Sequence, residues 1–203
     1  MSTRPPPPTI PMKWIVVSIV VFIVLYTVVN IYYRKPAPPH RPYEEMVNRT
    51  ITARLQASGW HRLPVETRRP AEKPTTGGAS VNRGGKGLGP GLADCYVEPP
   101  AMLATIDHVN APAEVTRGET CTVFFTGSVP NQQLQLGDVI LYQHDKEIVL
   151  LPVTEHLPGQ RLLSRWADAN YYLSFPTSAL PPGRYQVRVV STGPALQWSL
   201  EVK

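Results

Sequence analysis

From Trp14 to Tyr33 the chain runs without a single charged residue, and Lys13 and Arg34-Lys35 close its two ends. At 1.5 Å rise per residue, about 20 helical residues cover the roughly 30 Å hydrocarbon core of a bilayer. An uninterrupted helix also satisfies every backbone N–H and C=O where no water can. Trp14 at one end and Tyr32 and Tyr33 at the other fall where aromatic rings settle at headgroup level. A cleaved signal peptide would show a shorter apolar stretch, of about 7–15 residues, before a small-residue cleavage site. Here the run ends in Ile31-Tyr32-Tyr33-Arg34-Lys35-Pro36, and it is too long for a strand. A retained, single-pass anchor over residues 14–33 is expected.

Charge then divides the chain. Residues 34–93 carry eleven Lys/Arg against four Glu, whereas residues 94–203 carry seven Lys/Arg against eleven Asp/Glu. The net +5 is therefore a property of the segment beside the membrane and not of the C-terminal half, which is acidic. Attraction to anionic headgroups, worth about 1 kcal/mol per basic residue near the surface, accounts for such a flank, and no nucleic acid is expected as partner.

Before the span, residues 1–13 form a Pro-rich tail in which Arg4-Pro5-Pro6-Pro7-Pro8 reads as a stiff polyproline II leader. After it, residues 34–60 read as a juxtamembrane spacer followed by a short amphipathic helix. Tyr43, Val47, Ile51 and Leu55 recur every fourth residue, with Met46 beside them and polar residues opposite. Pro42 suits the first turn, Glu44 and Glu45 the positive end of the helix dipole, and Gly59 a left-handed close. A helix this short needs a cover for its stripe: the lipid interface, a second copy of the chain, or another protein.

Residues 61–98 lose periodicity and turn Pro-, Gly- and Arg-rich, which predicts a flexible basic linker. The tract Gly84-Gly85-Lys86-Gly87 is no phosphate loop, since Gly87 stands where Ser or Thr would have to follow Gly-Lys.

Residues 99–203 carry short alternating runs between turn signals, the pattern of an antiparallel β-sandwich. In Thr120–Thr126, Cys121, Val123 and Phe125 share a face. Asp138–Tyr142 and Glu147–Val153 predict a hairpin around His144-Asp145-Lys146, followed by Tyr171–Phe175. Tyr185, Val187 and Val189 point inward from the next strand, and Leu196, Trp198, Leu200 and Val202 from the last. With an opening strand near Ala104–Val109 the count is about seven. The fold class expected is mainly β, with one membrane helix and one amphipathic helix ahead of the sandwich.

The stretch Leu180-Pro181-Pro182-Gly183-Arg184-Tyr185-Gln186-Val187-Arg188-Val189 resembles the start of strand F in immunoglobulin-like and fibronectin-type sandwiches. The resemblance implies a tyrosine corner in which Tyr185 bonds back to the backbone. The stretch is also similar to the last hairpin of small periplasmic copper-resistance sandwiches, where an Asp-Gly-His metal motif follows. This chain continues Val190-Ser191-Thr192-Gly193-Pro194, without that ligand set, so no metal or cofactor site is implied. The similarity bears on fold and not on activity.

Cys95 and Cys121 leave two readings: one disulfide stapling the incoming chain to the sheet in an oxidising compartment, or a buried apolar Cys121 beside a free Cys95 thiol. No catalytic constellation emerges. The five histidines are scattered, and Asp107-His108 and His144-Asp145 are sequence neighbours, which in a strand point to opposite faces. The expected function is a membrane-anchored, non-enzymatic interaction or accessory module whose partners are the bilayer and an envelope protein or a second copy. One alternative is a periplasmic metal or redox carrier using Cys95, Cys121, Met102 and the histidines. Another is a cytosol-facing adaptor whose basic stalk grips lipid or nucleic acid.

Sidedness rests on opposed features. The C-terminal flank is richer in Lys/Arg, which favours a cytoplasmic domain. Lys13 against the span, the Pro/Gly-rich stalk and the sandwich favour an extracytoplasmic one, which is the expectation taken. Contacts are expected on the loops Val129–Gly137 and Thr154–Trp166, with Tyr171, Tyr172 and Trp166 in the core.

Overall fold

The computed structural model describes residues 11–33, 42–68, 78–157, 163 and 168–203. The Arg4–Pro8 leader, the spacer over 36–41 and Trp166 lie outside them. The chain divides into two compact units, Met1–Pro42 and Tyr43–Lys203.

The first unit contributes helix α1, Met12–Tyr33, none of whose side chains is buried. It is long and apolar enough to cross a membrane. Two polar side chains near its end bond back to the helix: Thr27 Oγ1 donates to Ile23 O at 2.8 Å and Asn30 Nδ2 to Tyr26 O at 3.0 Å. Each bond lowers the cost that a polar side chain would carry in an apolar surrounding.

The second unit opens with α2, Pro42–Ala57, the helix its fourfold spacing predicts. Its end is a Schellman turn, with Trp60 N–H donating to Leu55 O at 2.9 Å and Gly59 N–H to Gln56 O at 3.2 Å. Gly59 takes φ 77°, which the turn demands, and Leu55 and Trp60 pack in the same cluster, the apolar contact such a turn favours. After α2 come β1 (His61–Leu63), β2 (Glu66–Arg68), β3 (Asn82–Lys86) and the single turn α3 (Pro90–Ala93). The rest is strand: β4 (Thr105–Asn110), β5 (Glu114–Val115), β6 (Thr120–Ser128), β7 (Leu134–His144), β8 (Glu147–His156), β9 (Asp168–Pro176), β10 (Gly183–Val189) and β11 (Pro194–Val202).

These strands form two sheets, a mainly β architecture compatible with a sandwich. One sheet runs β2-β9-β6-β4; the other runs β1-β7-β8-β10-β11-β3, with β5 also on β11. Alternation places the inward residues where their spacing puts them. Cys121, Val123 and Phe125 of β6, Tyr185, Val187 and Val189 of β10, and Trp198, Leu200 and Val202 of β11 all belong to the core between the sheets. Asp145 at φ 49° and Lys146 make the two-residue turn of the β7–β8 hairpin, since His144 pairs Glu147.

Three expectations change. The larger sheet is mixed, because β8 pairs β10 in parallel and β5 pairs β11 in parallel. The segment 61–98 is no free linker over its described residues: β1 pairs β7, β2 pairs β9 and β3 pairs β11. Leu63, Leu88, Leu92 and Cys95 are buried along it. Between Leu63 and Glu66 only Pro64-Val65 intervene, so the chain steps from an edge of one sheet to an edge of the other. Finally, the inner stripe of α2 is covered by its own chain. Leu55 and Ile51 join a second apolar cluster with Trp60, Leu92, Cys95, Tyr142, Val149 and Leu151 on the outer face of the larger sheet.

That second cluster has a cause in β8. Ile148 and Leu150 face the inter-sheet core while Val149 and Leu151 face outward, all four fully buried. A strand apolar on both faces must be covered on both.

Candidate functional site

The cover over that outer face is incomplete. Between α2 and β7 lies a groove of about 600 Å³ whose floor is Ile51, Leu55, Trp60, Ile140 and Tyr142. Asn48, Thr52 and Gln56 of α2 rim one side, and His61, Arg62 and Tyr96 line the rest. Helical spacing explains the rim: Asn48, Thr52 and Gln56 are i, i+4, i+8 and lie beside the Ile51–Leu55 stripe.

Two phenols organise the wall. Tyr96 Oη and Tyr142 Oη are 2.8 Å apart, a hydrogen bond that ties the segment after α3 to β7. Burial raises the Tyr96 phenol well above its ordinary value, the bond to Tyr142 adds to the shift, and Arg62 opposes it. Tyr96 therefore stays protonated across physiological pH, and the wall offers the bonded hydroxyl pair with Arg62 as its charge. At the far end Trp60 stacks with His144 of β7, ring centroids 5.0 Å apart and tilted by 32°.

A second cleft, of about 480 Å³, sits on the outer face of the smaller sheet and is lined by Asn110, Glu114, Glu119, Thr122 and Tyr172 among others. Glu114 is engaged by Lys203, and Glu119 Oε2 accepts from Thr116 N–H at 3.3 Å, so its acids already serve the fold.

The residues singled out from sequence fall as follows. Cys95 and Cys121 are both buried and free, and they belong to different apolar clusters on opposite faces of the larger sheet. The sheet between them leaves no path for a mutual disulfide, so the staple gives way to two separate thiols. Cys95 Sγ donates to Gly91 O at 3.5 Å and lies 3.6 Å from Ser58 Oγ. Desolvation pushes the Cys121 thiol up to about 12. Tyr185 Oη donates to Pro181 O at 2.7 Å, the back-bond of a tyrosine corner, and Lys146 Nζ lies 4.7 Å from its ring centroid.

Asp107 and His108 are exposed on β4, and His144 Nε2 lies 3.9 Å from Asp145 Oδ2 at the hairpin. Among the described residues no group of three or more His, Cys, Asp or Glu gathers as metal ligands would. Met102 instead bridges Val153 and packs in the second cluster. Of the loops expected to carry contacts, Leu134–Gly137 and Thr154–His156 are strand, and Tyr171 is core while Tyr172 is half-buried.

The groove itself went unread in the sequence. Its signal was present in Ile148-Val149-Leu150-Leu151, a run that requires an outer cover, and in α2, the nearest amphipathic segment able to supply one.

Compared with protein-family models, curated proteins and solved structures, the chain matches none.

Proposed function

We propose that this protein is a single-pass, membrane-anchored interaction module without enzymatic activity, in which α1 is retained in the bilayer and the Tyr43–Lys203 unit is the binding head. One observation carries the reading: α1 spans 22 residues, has no charge after Lys13 and buries nothing against protein. A core helix of a water-soluble fold would be covered by its own chain; lipid is the remaining solvent for such a surface.

The head is read as immunoglobulin-like. In support, β4, β6 and β9 take the places of strands A, B and E in one sheet, and β5, β11 and β10 those of A′, G and F in the other. The departure is β8, which lies between β10 and β7, so the strand beside β10 is parallel to it. The groove between α2 and β7 is the head's candidate partner surface, having an apolar floor with hydroxyl, amide and guanidinium groups at its rim.

The test is fractionation of the full chain after detergent-free lysis. It is expected in the membrane pellet, resistant to high salt and carbonate, with its amino terminus intact. Recovery in the supernatant, or a processed terminus beyond residue 33, overturns the anchor. The side of the membrane is read by an impermeant maleimide on S178C, because Cys95 and Cys121 are each only 1% exposed and would not report. Labelling in intact cells is the outcome expected of an extracytoplasmic head; labelling only after permeabilisation places it in the cytosol.

A further inference from the structure

The two long faces of α2 differ in what covers them. Ile51 and Leu55 turn onto the outer face of the larger sheet. At roughly 100° per residue, Tyr43, Met46, Thr50, Ala53 and Ala57 fall on a second stripe turned away from it. All five are exposed, Tyr43 by 64% and Met46 by 68%, and the stripe reaches beyond the helix at its first turn, where Tyr43 Oη donates to Glu98 Oε1 at 3.5 Å. Arg49 and Arg54 border that stripe, both exposed.

A helix face left to water ordinarily carries charge along its middle. This one carries a tyrosine, a methionine, two alanines and a threonine whose hydroxyl is turned back onto Met46 O at 2.9 Å, with its cations at the margins and its carboxylate Glu45 beyond Arg49. That is the cross-section of a helix lying in a membrane interface, where an apolar strip enters the acyl boundary and arginines reach sideways to phosphate. Tyrosine belongs at that depth. Glu45 sits 3.8 Å from Arg49, but both are well exposed, so the pair is weak and leaves the guanidinium available.

The chain around α2 selects the same occupant. Only eight residues, 34–41, separate α1 from α2, a stretch that covers at most about 29 Å when extended. They include Arg34, Lys35 and Arg41, and no carboxylate occurs anywhere from Met12 to Arg41. An anionic surface is complementary to this run, and a second copy of the same basic run is not.

We propose that the Tyr43–Met46–Thr50–Ala53–Ala57 stripe of α2 docks on the anionic lipid interface of the membrane that α1 spans. This deepens the anchored-module reading and rests on it. Docking there holds the head by two points, the span and the helix, and leaves the opposite face of α2 to form the groove.

The experiment uses the full chain in lipid nanodiscs of phosphatidylcholine, with or without phosphatidylglycerol, carrying a bimane probe on M46C or on S178C. The buried native thiols stay unlabelled. Expected are a blue-shifted Met46 probe and quenching by bromine-labelled lipid at least about two-fold stronger than for the Ser178 probe, weakening in neutral lipid and in R49Q/R54Q. A Met46 probe that co-floats with the discs yet is no better quenched than Ser178 overturns the docking and leaves the anchor standing. A blue shift that needs two chains per disc and shows no lipid quenching assigns the stripe to a second copy and also overturns it. A chain that fails to float with the discs sinks the anchored reading itself.

Discussion

Arg188 Nε lies 2.7 Å from Glu147 Oε1 across the parallel β10–β8 pair, while Arg188 Nη2 donates to Leu88 O, also at 2.7 Å. One guanidinium thereby joins two strands and straps the loop ahead of α3 onto the sheet. Arg188 is the less exposed partner, its side chain 18% accessible against 37% for Glu147. The strap helps hold the Leu88–Leu92 segment over Val149 and Leu151, the cover that the outer face requires.

Removing that strap has a measurable consequence. R188M keeps the stem and deletes the charge, leaving Glu147 and Leu88 O to water, and is expected to cost about 2 kcal/mol. E147Q should cost less, because the bond to Leu88 O survives. A double-mutant cycle by urea denaturation of the Tyr43–Lys203 unit is expected to give a coupling near 1 kcal/mol. Additive losses would show that the pair contributes nothing as a pair.

The tyrosine corner offers a cleaner deletion. Y185F removes only the bond to Pro181 O and keeps the ring beneath Lys146, so a loss of about 1 kcal/mol is expected. K146M removes the ring contact together with the long bond from Lys146 Nζ to Pro182 O at 3.5 Å, and should cost about 0.5 kcal/mol, since the ammonium is exposed. Should Y185F melt with the parent, the hydroxyl has no structural weight and the corner is only a resemblance of sequence.

Gly127 tests the closeness of β4 to β6. A Cβ there would stand 2.6 Å from Thr105 O and 3.0 Å from Leu103 Cδ1, so one of the two strands has to move. G127A is expected to destabilise by about 2 kcal/mol, as overpacking of a filled site does. G85A on β3, where nothing lies within 4 Å of the added atom, serves as the control and should change stability little.

The strands legible in the sequence are those that alternate within their own residues: β10 buries every second side chain, β6 and β11 do so apart from the buried Phe124 and Ala195, and a local pattern suffices to find them. β1, β2 and β3 are different. Arg62, Glu66, Arg68 and Asn82–Lys86 have almost no apolar alternation, and their extended form is set by backbone pairing with β7, β9 and β11. Strands defined by a partner distant in sequence leave no local periodicity to read. Gly84, which looked like linker composition, is where β3 passes close to Gln197, whose Oε1 would be 2.9 Å from a Cβ. The two readings of the cysteines stay open in the sequence for a related reason. Strand parity fixes the face of Cys121, but Cys95 lies outside any strand, so nothing local told which side of the sheet it joins.

The buried Cys121 thiol makes stability depend on pH in a stated direction. Its value rises from an ordinary 9.0 in the unfolded chain to about 12 in the fold, because burial disfavours the thiolate. Above pH 9.0 the unfolded chain therefore loses this proton first, and the contribution that is complete below that pH drains away as pH climbs toward about 12. The slope attributable to one proton is at most about 1.4 kcal/mol per pH unit. C121A loses some packing at every pH, yet its stability should fall less steeply than the parent's from pH 9.0 upward. The raised Tyr96 phenol adds a further loss centred a unit higher, around its ordinary 10.0, but it is common to both proteins, so the difference between them from pH 9.0 to 10.0 reports the thiol. Parallel curves for C121A and parent over that interval, in urea titrations of the Tyr43–Lys203 unit, would show that Cys121 ionises as readily in the fold as out of it. That result would place the thiol in contact with water instead of among Val123, Phe125 and their neighbours.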